Sequence, residues 1–239
     1  MVLIGTVWII FVSLQSQNDE NQINMNSCQE HEFVDLGLPS GTLWATCNVG
    51  ANKPEDYGDY FAWGETQPKT QYCWSSYKYS KEKKSFFAYL FANSHLLTKY
   101  CNKSRYGYDH FTDNMTTLQR DDDAATANWG DCWCMPTKDQ WQELINKTTN
   151  FWTFQNGVRG RQFIADNGNR LFLPAAGARW ESSLNNAGSL CVYWSNSIGS
   201  GRLNYAFFYF YHFFSPKVFG MTDHDRCSGC SVRAVRSSE

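Results

Sequence analysis

Charge is scarce in this chain. Charged residues make up 18% of its 239 positions, where soluble domains average ~25%. The two signs nearly cancel: 21 Lys and Arg against 23 Asp and Glu give 21 − 23 = −2. With no basic excess there is no global electrostatic pull on nucleic acid or on an anionic membrane. Histidine is scarce too, with five residues at 31, 95, 110, 212 and 224, and no Ser-His-Asp order has local support. There is no phosphate-binding glycine loop. No heptad and no longer repeat occurs, which excludes a coiled coil or a solenoid. Aromatic residues, by contrast, are abundant: 17 Phe, 13 Tyr and 10 Trp make up 17% of the chain. A disordered chain needs few aromatics and a high net charge, so this one folds. Its length suits one large domain with extensions, long enough to bury a substantial core.

Nine cysteines are too few for a disulfide scaffold of this length, so the core must do most of the stabilising. Cys132 and Cys134 form one close pair, and Cys227 with Cys230 another. A structural zinc site wants two knuckles with two intervening residues each, and only the second pair has that spacing. His224 beside Cys227 and Cys230 lacks a fourth ligand in the pattern. A lone Cys-x-x-Cys without a following strand-helix context is equally weak as a redox motif. No metal and no cofactor is expected. Met1 to Leu14 is almost wholly apolar. It is shorter than the ~20 residues of a membrane-spanning helix and suits the apolar stretch of a secretory signal. Residues 1–16 therefore read as a signal segment, 17–31 as a flexible leader and 32–237 as a single domain.

Within that domain, short strands are expected at Phe33 to Gly41, Thr42 to Cys47 and Tyr60 to Gly64. Ser85 to Tyr100 holds apolar residues that suit a helix, inside an irregular stretch of a kind associated with functional or inserted loops. Thr116 to Trp129 reads as a helix whose Asp121, Asp122 and Asp123 form a solvated face, since they lack the spacing of a calcium loop. A second helix starts behind Thr137, with Gln140 completing a capping box and Trp141, Leu144 and Ile145 on one face. Gln162 to Ala165 and Arg170 to Leu173 flank an Asn-Gly turn and form a hairpin. Strands at Cys191 to Ser195, Tyr205 to Phe214 and Ser231 to Arg236 close the domain. Strands, then two helices, then strands again make an α+β fold.

Several strings, in order, carry a resemblance. They include Val34 to Ala45, Tyr57 to Glu65, Leu97 to Tyr100, Asp122 to Ala125, Asn128 to Gly130 and Met135 to Thr137. Asn156 to Val158, Leu173 to Gly177, Tyr193 to Ser195 and Ser231 to Arg233 follow. Together they resemble the Fibrobacter succinogenes major paralogous domain, found in secreted and surface proteins of gut anaerobes, over about Phe33 to Arg236. That family is similar to the C-type lectin fold, and the segment Trp133 to Leu144 resembles one in formylglycine-generating-enzyme-like lectin domains. The resemblance implies a C-type-lectin-like architecture: two helices, short twisted antiparallel sheets, terminal strands paired with each other, and a loop-rich half that binds ligands. The chain departs from the family at Cys134, Ala178, Cys227 and Cys230, and in the aromatic load of Tyr205 to Phe214.

Nine of the ten residues from Tyr205 to Phe214 are Phe, Tyr or His. Alternate residues of a strand face opposite ways. Phe207, Tyr209 and Tyr211 are expected in the core, and Phe208, Phe210, His212 and Phe214 on an exposed face. Exposed apolar patches mark binding sites, and aromatic rings give large contact area at low entropic cost. Phe219 belongs to the same contact surface, and Asp223, His224, Asp225 and Arg226 are its expected polar rim. An unperturbed histidine titrates near pH 6.5, so His212 and His224 would make binding respond to pH. Some lectin-fold proteins of this kind are targets of retroelements that diversify adenine-rich codons. Of the 35 residues from Asn196 to Cys230, only Lys217 and Met221 lie outside the set such mutation reaches. An ordinary aromatic strand with a lineage-specific loop accounts for the composition equally well.

The leading expectation is a non-catalytic, secreted or surface binding protein that recognises a glycan or protein on another cell or host surface. Two alternatives stay open. One is a structural surface or pilus-type component whose aromatic segment packs on a partner subunit. The other is a formylglycine-generating-enzyme-like or thiol redox enzyme. Trp44, Trp63, Trp129, Trp141 and Trp194 are expected to be scaffold.

Overall fold

A computed structural model describes residues 30–82, 95–199, 205–212 and 219–237. Among the described residues, short antiparallel sheets and two helices make the fold α+β. The first sheet joins the two ends of the domain. Strands β1 (Phe33–Asp35) and β13 (Val235–Ser237) both pair with β2 (Thr42–Ala45), with Val34 and Val235 each opposite Trp44. The end strands thus share a sheet through β2 rather than pairing directly. Fully buried Arg233 fixes the end of β2: Nη1 donates to the carbonyls of Ala45 and Thr46 at 3.0 and 2.7 Å, and Nε to Asn48 Oδ1 at 2.9 Å.

Helix α1 (Ala124–Trp129) is shorter than the expected Thr116 to Trp129. Its first half is claimed by another element. Leu118 N donates to the Asn196 carbonyl and Ile198 N to that of Thr116, both at 2.9 Å, which holds the segment extended. A 3-10 turn (Arg120–Asp122) follows, and Asp123 caps α1 by accepting from Ala125 N and Thr126 N at 2.9 and 3.0 Å. The aspartates are no solvated face, because Asp122 and Asp123 are both buried.

Helix α2 (Lys138–Lys147) has the expected start. Thr137 Oγ1 accepts from Gln140 N at 3.1 Å, and Thr137 N donates back to Gln140 Oε1 at 2.9 Å. Thr137→Ala removes one side of this box and is expected to cost about 1 kcal/mol, readable as a small drop in the denaturant midpoint.

A three-stranded sheet follows, β5 (Thr148–Gln155), β6 (Val158–Ala165) and β7 (Arg170–Pro174), with β5 and β7 at its edges. The hairpin at the Asn167-Gly168 turn is the expected one, while β5 falls where no strand is expected. Two small ribbons pair β3 (Ser80–Glu82) with β4 (His95–Leu97) and β8 (Ala178–Trp180) with β9 (Ser183–Asn185). The expected helix over Ser85 to Tyr100 is replaced at its end by β4, and 83–94 lie outside the described residues. Tyr60 to Gly64 is no strand: only Phe61 forms a bridge, to Cys230. Individual bonds pin it instead, Tyr60 OH to the Ala176 carbonyl at 2.6 Å and Trp63 N to that of Arg226 at 2.8 Å.

The core has two clusters that meet at β10 (Leu190–Ile198). Leu190, Val192 and Trp194 belong to one, with Trp63 and Trp129; Cys191 and Tyr193 belong to the other, with Trp44, Trp141 and Phe163. All five expected scaffold tryptophans are at most 4% exposed. His31, expected in a flexible leader, is attached to this body: its ring stacks on Trp129 with centroids 3.8 Å apart. Cys132 is disulfide-bonded, whereas seven other cysteines are free.

Candidate functional site

β10, β11 (Tyr205–His212) and β12 (Phe219–Asp225) form a three-stranded antiparallel sheet with β12 at one edge. β10 is covered on both faces, because its neighbouring residues feed different core clusters. β12 is different. Met221 packs against the cluster that holds Trp141, yet its neighbour Thr222 is exposed. At Gly220 an added Cβ would meet nothing within 4 Å. The edge of the sheet therefore has one covered and one open face.

Cross-strand partners share a face, so the register sorts β11. Phe208 pairs with Thr222 and Phe210 with Gly220, on the open side of β12. Tyr209 pairs with Met221 on the covered side, and Phe207 and Tyr211 alternate with it. The same open set lies opposite Trp194, Val192 and, for His212, Leu190, all of them buried. The face is thus closed along β10 and at fully buried Ala206 of β11, and opens at Thr222 of β12.

This register also divides the expected site residues. Phe208, Phe210 and His212 fall on one set, joined by half-buried His224, which pairs with Ala206. Phe219 and Asp223 pair with Tyr211 and Phe207, and Asp225 with Tyr205, so these three go with the Met221 set. Phe214 lies outside the described residues. Asp225 is half-buried, and its carbonyl accepts from Ser228 N at 3.1 Å in the turn after β12. His224 Nε2 lies 3.5 Å from Ser228 Oγ.

Arg226 is no part of a polar rim. It is fully buried, and its guanidinium lies 4.8 Å from the Trp63 ring centroid. Its Nη1 donates to the Tyr100 carbonyl at 3.0 Å, and burial lowers its pKa. A long side chain placed one residue beyond the edge strand turns inward and anchors the Tyr100 loop. Thr222 is the site residue that composition did not reveal. Its signal is positional, since alternation places it opposite Phe208.

The thiols of the Cys-x-x-Cys pair are poorly placed for nucleophilic work. Cys227 and Cys230 are buried and free, and desolvation pushes both thiols up, away from the thiolate. Half-buried Cys73 is held down by the Ser75 and Ser76 hydroxyls. Among the described residues no three His, Cys, Asp or Glu side chains gather as metal ligands.

The main buried ionic constellation is structural. The Asp122 carboxylate accepts from Lys99 Nζ at 2.5 Å, Tyr100 OH at 2.6 Å, Lys78 Nζ at 3.3 Å and Tyr79 OH. It staples Lys78, Tyr79, Lys99 and Tyr100 to the start of α1. Burial alone would raise its pKa, but the hydrogen bonds from Lys99, Tyr100 and Tyr79 outweigh it and hold the carboxyl below its ordinary 3.8. The sign follows from linkage: a depressed folded pKa adds stability that is present above about pH 4 and lost as pH falls through the folded value. Asp122→Asn is expected to destabilise the protein by about 2–3 kcal/mol at pH 7. It is also expected to flatten the fall in melting temperature below pH 4, which parallel thermal melts would read.

Comparison with models of protein families, with curated proteins and with solved structures finds no match to this chain.

Proposed function

We propose that the chain is a non-catalytic binding module of C-type-lectin-like architecture, exported to the surface or medium, which holds a glycan or protein ligand on the open face of β11 and β12. One observation carries this reading: exposed Thr222 is the cross-strand partner of Phe208, while Met221 on the other face is tied into the core. An aromatic strand that shares a face with an exposed edge residue is placed to offer large rings to a partner. Phe208, Phe210 and His212 supply contact area, and Thr222 and His224 supply polar groups beside them.

The resemblance of the sequence strings to the Fibrobacter succinogenes major paralogous domain supports the lectin-like architecture, as do the end strands sharing one sheet. Export is supported by the apolar Met1 to Leu14 and by a disulfide at Cys132, which suits an oxidising compartment. The raised pKa values of Cys227 and Cys230 favour this reading over a thiol enzyme.

The test is a screen of the full chain on glycan and protein arrays, with metal analysis and thiol titration of the same preparation. Saturable binding to a restricted set of ligands is expected. A chain that binds nothing on either array and carries stoichiometric zinc or copper would overturn the reading in favour of an enzyme. Sequencing the neighbouring DNA decides the separate matter of diversification. A reverse transcriptase gene beside a near-copy of the 3′ end, with mismatches confined to adenines, is the expected signature.

A further inference from the structure

Far from β11 and β12 in sequence, the β5–β6 hairpin borders a shallow cleft of about 530 Å³. The cleft is built on a rigid frame. β5 and β6 are paired along their full length, and Asn156 and Gly157 form the two-residue turn with φ of 48° and 82°. Two consecutive left-handed residues are what a tight hairpin turn requires. The buried Glu55 carboxylate clamps this tip, accepting from Asn156 Nδ2 at 2.7 Å and from Gln155 Nε2 at 3.4 Å. Opposite, Gly188 N donates to the Ala175 carbonyl at 2.7 Å, which fixes the other rim.

The walls differ in chemistry. Phe154 is 62% exposed, more than any other large apolar residue described. It lies directly opposite Arg159 across the hairpin, with the guanidinium 5.1 Å from its ring centroid. Arg159 Nη1 also donates to the Gly188 carbonyl at 3.1 Å, so the guanidinium bridges the two rims and is held in place. Half-buried Tyr57, Val158 and Ser189 and exposed Ala187 complete the lining. At Gly157 and Gly188 an added Cβ would meet nothing within 4 Å, so bare backbone faces open space on both rims.

We propose that this cleft is a second binding site, for a single pyranose residue of a glycan. A pyranose has an apolar C–H face and a hydroxyl edge. The exposed Phe154 ring suits the first. The Arg159 donors, the Ser189 hydroxyl oxygen, which accepts while its proton goes to the Asn186 carbonyl, and the bare backbone at Gly157 suit the second. A protein partner would call for a broader apolar core than one ring supplies. The cleft shares no residue with the β11–β12 face, so the two sites stand or fall separately.

The experiment is an amide chemical-shift titration of the full chain with methyl glycosides of glucose, galactose, mannose and N-acetylglucosamine, and with glucuronate. At least one sugar is expected to shift amides within 154–159 and 187–189 saturably, with a Kd on the order of millimolar. Phe154→Ala is expected to weaken that binding about tenfold without lowering the melting temperature, since the ring is mostly exposed. Phe154→Trp should retain binding. Changing Phe208 and Phe210 to Ser should leave these shifts unaltered, which separates this site from the β11–β12 face. The proposal is overturned if no sugar in the set shifts either segment, or if Phe154→Ala binds as tightly as the wild type.

Discussion

Replacing Trp141 by Ala is expected to remove about 3–5 kcal/mol of stability, out of a total that for a domain of this kind is on the order of 5–15 kcal/mol. Trp141 is fully buried on α2, and its ring centroid lies 4.7 Å from that of Trp44 and 5.9 Å from that of Tyr193. Its Nε1 also donates to the Trp194 carbonyl at 3.2 Å. The indole thus joins α2 to the terminal sheet and to β10 at once, and an alanine leaves a cavity no neighbour can fill. A large fall in the melting temperature, with loss of cooperativity, is the expected thermal scan. A variant that melts like the wild type but no longer binds its ligand would make Trp141 a contact residue.

The second large effect is on binding. Changing Phe208 and Phe210 together to Ser is expected to abolish ligand binding, because truncating aromatic anchors at an interface centre costs upwards of about 2 kcal/mol each. A smaller fall in melting temperature than for a core aromatic is expected, because the face opens at β12, where their register partners are exposed Thr222 and open Gly220, although those on β10, Trp194 and Val192, are buried. Tyr209→Ala should behave the opposite way. Its partner Met221 packs on the Trp141 cluster, so stability should drop first. Parallel melts and binding curves on the two variants check this reversal.

Where local chemistry decides structure, the sequence could be read directly. The Thr137 and Gln140 capping box starts α2 as its residue types require, and the Asn167-Gly168 turn closes the β6–β7 hairpin. The buried Trp44, Trp63, Trp129, Trp141 and Trp194 are legible from their place within the strings that carry the resemblance; size and apolarity alone do not single them out, since Trp180 is 40% exposed. Readings failed where long-range pairing overrode local pattern. Thr116 to Leu118 lies next to a helix-like run, but backbone bonds from the end of β10 keep it extended. The acidic run looks solvated until Lys99, Tyr79 and Tyr100, about 20 to 40 residues earlier in the chain, converge on Asp122. β5 has no clean two-residue alternation, because one of its faces is only half covered.

For the candidate site, strand β11 could be read from its run of aromatic residues and its two sets from strand geometry, and the paired register keeps those sets apart. The membership of the polar rim could not. Arg226 looks like a surface partner beside Asp223 to Asp225, yet the chain turns just there and buries it against Trp63. Thr222 looks unremarkable in sequence and becomes informative only as the partner of Phe208.

A ligand held on the open face of β11 and β12 must lose its main contacts when Phe208 and Phe210 are truncated. The most direct measurement is a glycan- and protein-array screen run side by side on the wild type and the Phe208→Ser, Phe210→Ser double variant, with melting temperatures taken on the same preparations. Discrete wild-type signals are expected to vanish in the variant while both proteins stay folded with cooperative melts. A double variant that keeps the wild-type signals, or that unfolds because the face is buried against the rest of the molecule or a partner subunit, would contradict this placement of the ligand.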